Sequence, residues 1–354
     1  MIRAALFTLV CAAALSAASN GPFSETDVKN ARAIIDAIYR VQYQKAIGLC
    51  RSLAAAAPDD PLPDVFLART LWQQEISAKQ ALALSRFGAK DFFVEQQSIR
   101  YKLEPDREIE KEFDAITDKA IEKAKKRVLA NPNDHRSWFL MGLAYQNLAT
   151  FKASFQGGWR QAFLAGENTR RAHQRVLARY PDFADAMLSL GVYDHVAGSV
   201  NWFYKAWGLI LGIHGDKKRG IQRIETAARE SAFLGPDART MLVLIYSREQ
   251  RYRDALDTLN ALHQQYPENC LIPIDQATLL IELNRPAEAI ARYRALLTSL
   301  NTRNGARGCP GPNLVLRHLG MAQRWSGDLP ASLETLTQAV AAPGAPQETL
   351  LARL

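Results

Sequence analysis

HRSWFLMGLAY, His135 to Tyr145, is the stretch that decides the fold. Trp138, Met141, Gly142 and Tyr145 recur at i, i+3, i+4 and i+7, the spacing of one face of an α-helix. Counted from His135 as the first residue of a unit, they are positions 4, 7, 8 and 11. Position 8 is the informative one. A small residue there lets the first helix of a unit lie close on the second, which a larger side chain would push away. Position 20 asks for a small residue for the same reason. The unit closes near Pro181, which cannot continue a helix and biases the residue before it toward extended backbone.

The same register returns along the chain. Pro236 to Asn269 carries Leu242, Tyr246, Ala255, Leu259, Leu262 and Pro267 at positions 7, 11, 20, 24, 27 and 32. Cys270 to Arg303 carries Leu280, Ala289, Tyr293 and Leu296 at 11, 20, 24 and 27. Asn313 to Pro346 carries Leu319, Gly320, Ser332, Leu336 and Ala339, with Gly327-Asp328 as its turn. Upstream, Asp27 to Asp60 carries Ala46, Cys50, Leu53 and Pro58, which puts Cys50 on a core face as a structural thiol. Pro58, Pro132, Pro181 and Pro267 each precede Asp or Asn within two residues, a helix stop followed by a helix start. Alternating β-branched runs are missing, so no strand is expected. Three units exceed the common length. Pro61 to Asp134 holds an insertion near Ile76 to Glu112 before a second helix Phe113 to Ala130, and His135 to Phe183 and Ala184 to Gly235 are lengthened between their helices. A fixed period of this kind is the mark of a stacked repeat array.

These residues resemble the tetratricopeptide-repeat family over nearly all of the chain after its first residues. Leu190 to Ala228, LGVYDHVAGSVNWFYKAWGLILGIHGDKKRGIQRIETAA, also looks like a block that recurs in exported or membrane-associated bacterial repeat proteins of undefined role. The resemblance implies an all-α, right-handed α-solenoid of about seven helical hairpins with insertions, used as a protein-binding scaffold or adaptor. It brings no catalytic residue and no cofactor. One branch of the family clamps C-terminal carboxylates with an Asn at position 9. Position 9 here is Leu143, Val192, Leu244, Thr278 and Met321, so that clamp is not expected.

Positions 2, 5, 9 and 12 of the first helices line the concave face in this family. They place Phe139, Leu143 and Gln146, then Leu188, Val192 and His195, then Thr240, Leu244 and Ser247, then Ile274, Thr278 and Ile281, then Arg317, Met321 and Arg324 in a groove suited to an extended or helical peptide. The alternative is that neighbouring helices cover part of this surface as core. Asn201 to Gly212, NWFYKAWGLILG, is the most unusual segment. Exposed, Trp202, Phe203, Trp207 and Leu209 would mark a partner or membrane contact. An interfacial helix needs a cationic face, and this run offers only Lys205, so packing on the solenoid is the favoured reading.

The opening residues read as an export signal: Arg3, the apolar stretch Ala4 to Ala14, and small residues Ser16 to Ala18 for cleavage after Ala18. The apolar stretch is too short to span a bilayer. The expected organisation is residues 1–18 as signal, 19–134 as N-terminal hairpins with a helical insertion, 135–235 as central lengthened hairpins, and 236–354 as a C-terminal array. A net charge of +8 spread along the chain reads as solvated helix faces rather than a nucleic-acid surface. The basic run Lys119 to Arg127 is read the same way, with Glu122 and Lys126 paired at i, i+4. Cys270 and Cys309 are candidates for a disulfide in an oxidising compartment, separate thiols being the alternative. No CxxC pair occurs, and His195 and His214 lack ligands at metal-site spacing, so no metal is expected. Walker, GxGxxG, GxSxG and HExxH motifs do not appear, and no enzyme is expected.

Overall fold

The computed structural model describes residues 21–78, 104–155, 158–199, 215–302 and 309–342. Among them lie fourteen α-helices and no strand. They are α1 (Glu25–Tyr39), α2 (Tyr43–Ala56), α3 (Pro61–Ala78), α4 (Arg107–Ala130), α5 (His135–Ser154), α6 (Trp159–Arg179), α7 (Ala184–Ser199), α8 (Lys217–Glu230), α9 (Gly235–Arg248), α10 (Tyr252–Gln265), α11 (Ile272–Glu282), α12 (Pro286–Thr302), α13 (Pro312–Trp325) and α14 (Leu329–Ala341). Consecutive helices pair into seven hairpins, and the second helix of each packs on the first helix of the next. The molecule is an all-α solenoid held by neighbour-to-neighbour packing.

Close approach within the hairpins comes from the small residues expected of it. A Cβ added at Gly142 would lie 2.4 Å from the His173 ring, at Gly191 2.7 Å from Ile224, and at Gly320 2.6 Å from Leu336. Ala46, Ala255 and Ala289 at position 20 are fully buried. The prolines act as the sequence implies: α2, α4, α6 and α10 end on Ala57, Asn131, Tyr180 and Tyr266, which have left the helical region and each stand just before a proline.

Four hairpins turn through one backbone device. After α1, α9, α11 and α13 a residue takes positive φ: Val41 (60°), Gln250 (60°), Asn284 (57°) and Gly327 (88°). Its N–H and the next one bond back to helix carbonyls, as in Gln250 to Ser247 and Arg251 to Tyr246. This 6→1 and 5→2 pattern satisfies carbonyls left over at the helix end.

Two expected boundaries are corrected. The second helix of hairpin 2 begins at Arg107 rather than Phe113, because Asp106 caps it by accepting the N–H groups of Glu108 and Ile109. Hairpin 3 is lengthened by its helices themselves, of 20 and 21 residues. The basic run is not simply a solvated face. Lys119 and Lys123 reach Asp64, whose side chain is 4% exposed, and Arg127 pairs with Asp134 at 3.2 Å. Cys50 is buried, and burial pushes its thiol up to about 12.

The array curls far enough for its first hairpins to meet its fifth. Phe23, just before α1, packs on Phe139, Phe183 and Phe233 at centroid distances of 5.3, 5.9 and 5.3 Å. Aromatic pairs of this kind add about 0.5–1.5 kcal/mol beyond their burial.

Candidate functional site

The residues expected to line one groove divide into two groups. In hairpins 3 to 5 most belong to the core. Phe139 is fully buried beneath Phe23 and stacks on His173 at 4.6 Å. Leu143, Leu188, His195 and Ser247 are buried, as is Ile274 in hairpin 6. Ser247 spends its hydroxyl on the Val243 carbonyl at 2.7 Å. Gln146, Val192 and Leu244 are half-buried, and Thr240 is exposed. Thr240 lies 3.0 Å from the Tyr39 hydroxyl.

What occupies this part of the groove is the chain itself. Tyr39 stacks on Tyr266 at 5.2 Å and donates its hydroxyl to Asp237 at 2.8 Å. Arg69 of α3 makes a two-pronged bond to the same carboxylate. The Tyr266 hydroxyl donates to Asp36 at 2.7 Å, and the Asn269 amide donates to the Tyr39 carbonyl at 2.7 Å. Arg40 pairs with Glu268. Farther back, Arg136 holds Asp27 and Asp60 at 2.8 Å each. Burial opposes the charge on Asp27, but the Arg136 guanidinium prevails and holds its carboxyl below the ordinary carboxylate range. Burial and the Asp237 carboxylate push the Tyr39 hydroxyl well up. The sequence offered no sign of this clasp, because its partners lie about 200 residues apart and repeat periodicity reports only on neighbours.

The C-terminal groove positions remain accessible. Thr278, Ile281 and Arg317 are half-buried, and Met321 and Arg324 are exposed. Met321 is one of four large apolar side chains exposed on hairpin 7, with Trp325, Leu329 and Leu333, at 53, 67, 63 and 72% respectively. Leu329 and Leu333 stand at positions 17 and 21 of their unit. In hairpin 5 those positions are Tyr252, packed against the core, and Leu256, 7% exposed, on the helix that α11 stacks upon. In hairpin 7 the residues at the same two positions are exposed instead. Trp325 and the two leucines were not among the sequence candidates. Comparing positions 17 and 21 between units would have found the leucines.

Cys270 and Cys309 are joined by a disulfide. Trp202, Phe203, Trp207, Leu209 and His214 lie outside the described residues. Among the described residues no group of His, Cys, Asp and Glu is arranged to hold a metal ion, and no helix is long and apolar enough to cross a membrane. The adjacent pair Asp194 and His195 diverges: Asp194 bonds to Arg219 and Arg223, while the His195 Nδ1 is buried without a hydrogen-bond partner.

None of the curated proteins is similar to the chain in sequence. Among solved structures it is similar to a tetratricopeptide repeat protein from Parabacteroides merdae, at 9% identity and a TM-score of 0.35, over 94% of this chain and 100% of that one. Yeast Tom70 is similar at 10% identity and a TM-score of 0.31, over 89% of this chain and 85% of Tom70. Residues 274–346 match the family model of the tetratricopeptide repeat. With seven stacked hairpins among the described residues, and with small residues where the helices of a unit meet, the chain has the architecture of a tetratricopeptide-repeat array, and its C-terminal part, residues 274–346, carries that family's sequence pattern.

Proposed function

We propose that this protein is a non-enzymatic scaffold that binds a protein partner through its C-terminal hairpin. The observation that carries the reading is the set of exposed apolar side chains on hairpin 7. Four large apolar side chains stand in water where the fifth hairpin's equivalents of two of them are packed by the next helix. A surface shaped to receive a first helix accepts an amphipathic helix of a partner by the same packing. The clasp supports this choice of site, because it fills the groove of hairpins 3 to 5 from within. The partner is met outside the cytoplasm, in the periplasm or on the outer surface, a reading that rests on the export-type signal over residues 1–18.

The test is site-directed photocrosslinking. A photoreactive residue at Leu333 is expected to give one discrete protein adduct in cell-envelope fractions, and Trp325→Ala is expected to abolish it. The same probe at exposed Leu129 of hairpin 2 is expected to give none. Adducts of equal yield at both sites, or insensitivity to Trp325→Ala, would overturn the site. An alkaline phosphatase fusion to residues 1–40 is expected to be active. An inactive fusion would overturn the location.

A further inference from the structure

In the central hairpins, α6, α7 and α8 line a half-open cavity of about 310 Å³. That is the lower end of the range for ligand pockets, roughly 300–1,000 Å³, and suits a small guest. Arg170, Gln174, Tyr193, Asp194, Arg219 and Arg223 are on its wall. The charge balance there is uneven. Asp194, whose side chain is 5% exposed, is shared by two guanidiniums: Arg219 reaches it at 2.9 and 2.7 Å and Arg223 at 2.5 Å. Glu167 is shared in the same way, by Arg170 at 2.8 Å and Arg171 at 3.8 Å. On the wall itself three arginines, Arg170, Arg219 and Arg223, stand beside one carboxylate, Asp194, while Glu167, off the wall, pairs with Arg170.

A single carboxylate cannot take up all the N–H donors of two guanidiniums. Arg219 uses its Nε and Nη2 and Arg223 its Nη1, which leaves Nη1 of the first and Nη2 of the second for another acceptor. Asp194 also fixes the two forks, so a ligand meets donors already oriented. The Gln174 side chain, bonded to Arg170 Nη1 at 3.1 Å, completes a polar wall. Simple α7–α8 pairing would need only one arginine for Asp194.

We infer that this cavity is an oxyanion site that takes a phosphate group, with Arg219 and Arg223 as its principal donors. The proposal is independent of the partner surface on hairpin 7.

Titration calorimetry of the full chain with inorganic phosphate at constant ionic strength tests it. Saturable binding with one site per chain is expected, weakened at least tenfold in Arg219→Gln/Arg223→Gln. Sodium chloride at matched ionic strength is expected to give no saturable heat. Because the double variant also loses the Asp194 bonds, Arg219→Lys is measured beside it. That variant keeps the charge but loses the fork, and is expected to bind several-fold more weakly while melting within a few degrees of wild type. Competition by glycerol 1-phosphate, set beside sedimentation with phosphatidylglycerol vesicles, tells a free phosphate from a lipid headgroup. No saturable heat in the wild type, or equal affinity in wild type and Arg219→Lys, would overturn the proposal.

Discussion

Gln250 sets the scale at which single side chains are decisive here. It is exposed, it turns hairpin 5 at a φ of 60°, and the equivalent residue of hairpin 7 is Gly327. An L-residue in this left-handed region costs roughly 1–2 kcal/mol, and glycine avoids most of that while adding freedom to the unfolded chain. Gln250→Gly is therefore expected to stabilise the protein by about 1 kcal/mol in urea unfolding. A loss of stability would show that the turn is not under strain. The buried histidines give a second prediction. Burial pushes His173 down to about 4 and His318 to about 3, the latter helped by Arg317. Both are neutral in the folded state, so the unfolded state binds protons first as pH falls below the ordinary value near 6.5. Their contribution to stability is complete above that value and is lost as pH drops toward the folded values. His318→Phe should keep the stacking on Tyr293 and lose the titration. Between pH 7 and pH 5 wild type is then expected to lose about 2 kcal/mol more than the variant, and equal losses would refute the assignment. The positions that sequence reading identified at this scale are those with local causes, such as Gly142, Ala255 and Pro267. Phe139 was given to the groove because its cover, Phe23, lies far away in sequence.

At the scale of elements, helix ends were legible where the chain carried a stop and a cap together. Pro132 followed by Asp134 placed the start of α5, with Asp134 accepting the Ser137 N–H at 2.9 Å. The start of α4 carried the same kind of signal in Asp106, but the apolar periodicity begins only at Phe113, and periodicity prevailed in the reading. Where α1 docks could not be read, because its amphipathic pattern says that one face is buried but not against what. The docking has measurable weight. Phe23 is 4% exposed among three phenylalanines, and truncating such a side chain costs about 3–5 kcal/mol. Phe23→Ala is expected to fall in that range. Leu333→Asp, at a site 72% exposed, is expected to change stability by less than about 0.5 kcal/mol. Thermal melts of the two variants side by side check the contrast. Similar melting temperatures would mean either that Phe23 is not core or that Leu333 is covered in solution.

At the scale of the whole molecule, the clasp changes what a repeat array ordinarily does. Open solenoids unfold by fraying from their ends, since each hairpin touches only its neighbours. Here the first two hairpins also hold the fifth, through Tyr39, Arg69 and Asp237, so hairpins 1 to 5 are joined at both ends. Hairpins 6 and 7 lie outside that ring and have the disulfide instead. Cys270 precedes α11 and Cys309 precedes α13, so the covalent loop encloses hairpin 6. A loop of 39 residues restricts the unfolded chain by about 4 kcal/mol in the chain-entropy account. The two devices protect different parts, so reduction should act locally. Hydrogen exchange on the Cys270→Ser/Cys309→Ser variant is expected to show faster exchange in α11 to α14, the largest change being in α11 and α12. Amides of α1, α5 and α9 should keep their wild-type rates. Uniform acceleration across the chain would mean that the array unfolds as one cooperative body and that the clasp does not separate its two parts. If only the C-terminal hairpins respond, the part of the protein proposed to meet a partner is also the part that a reducing environment loosens first.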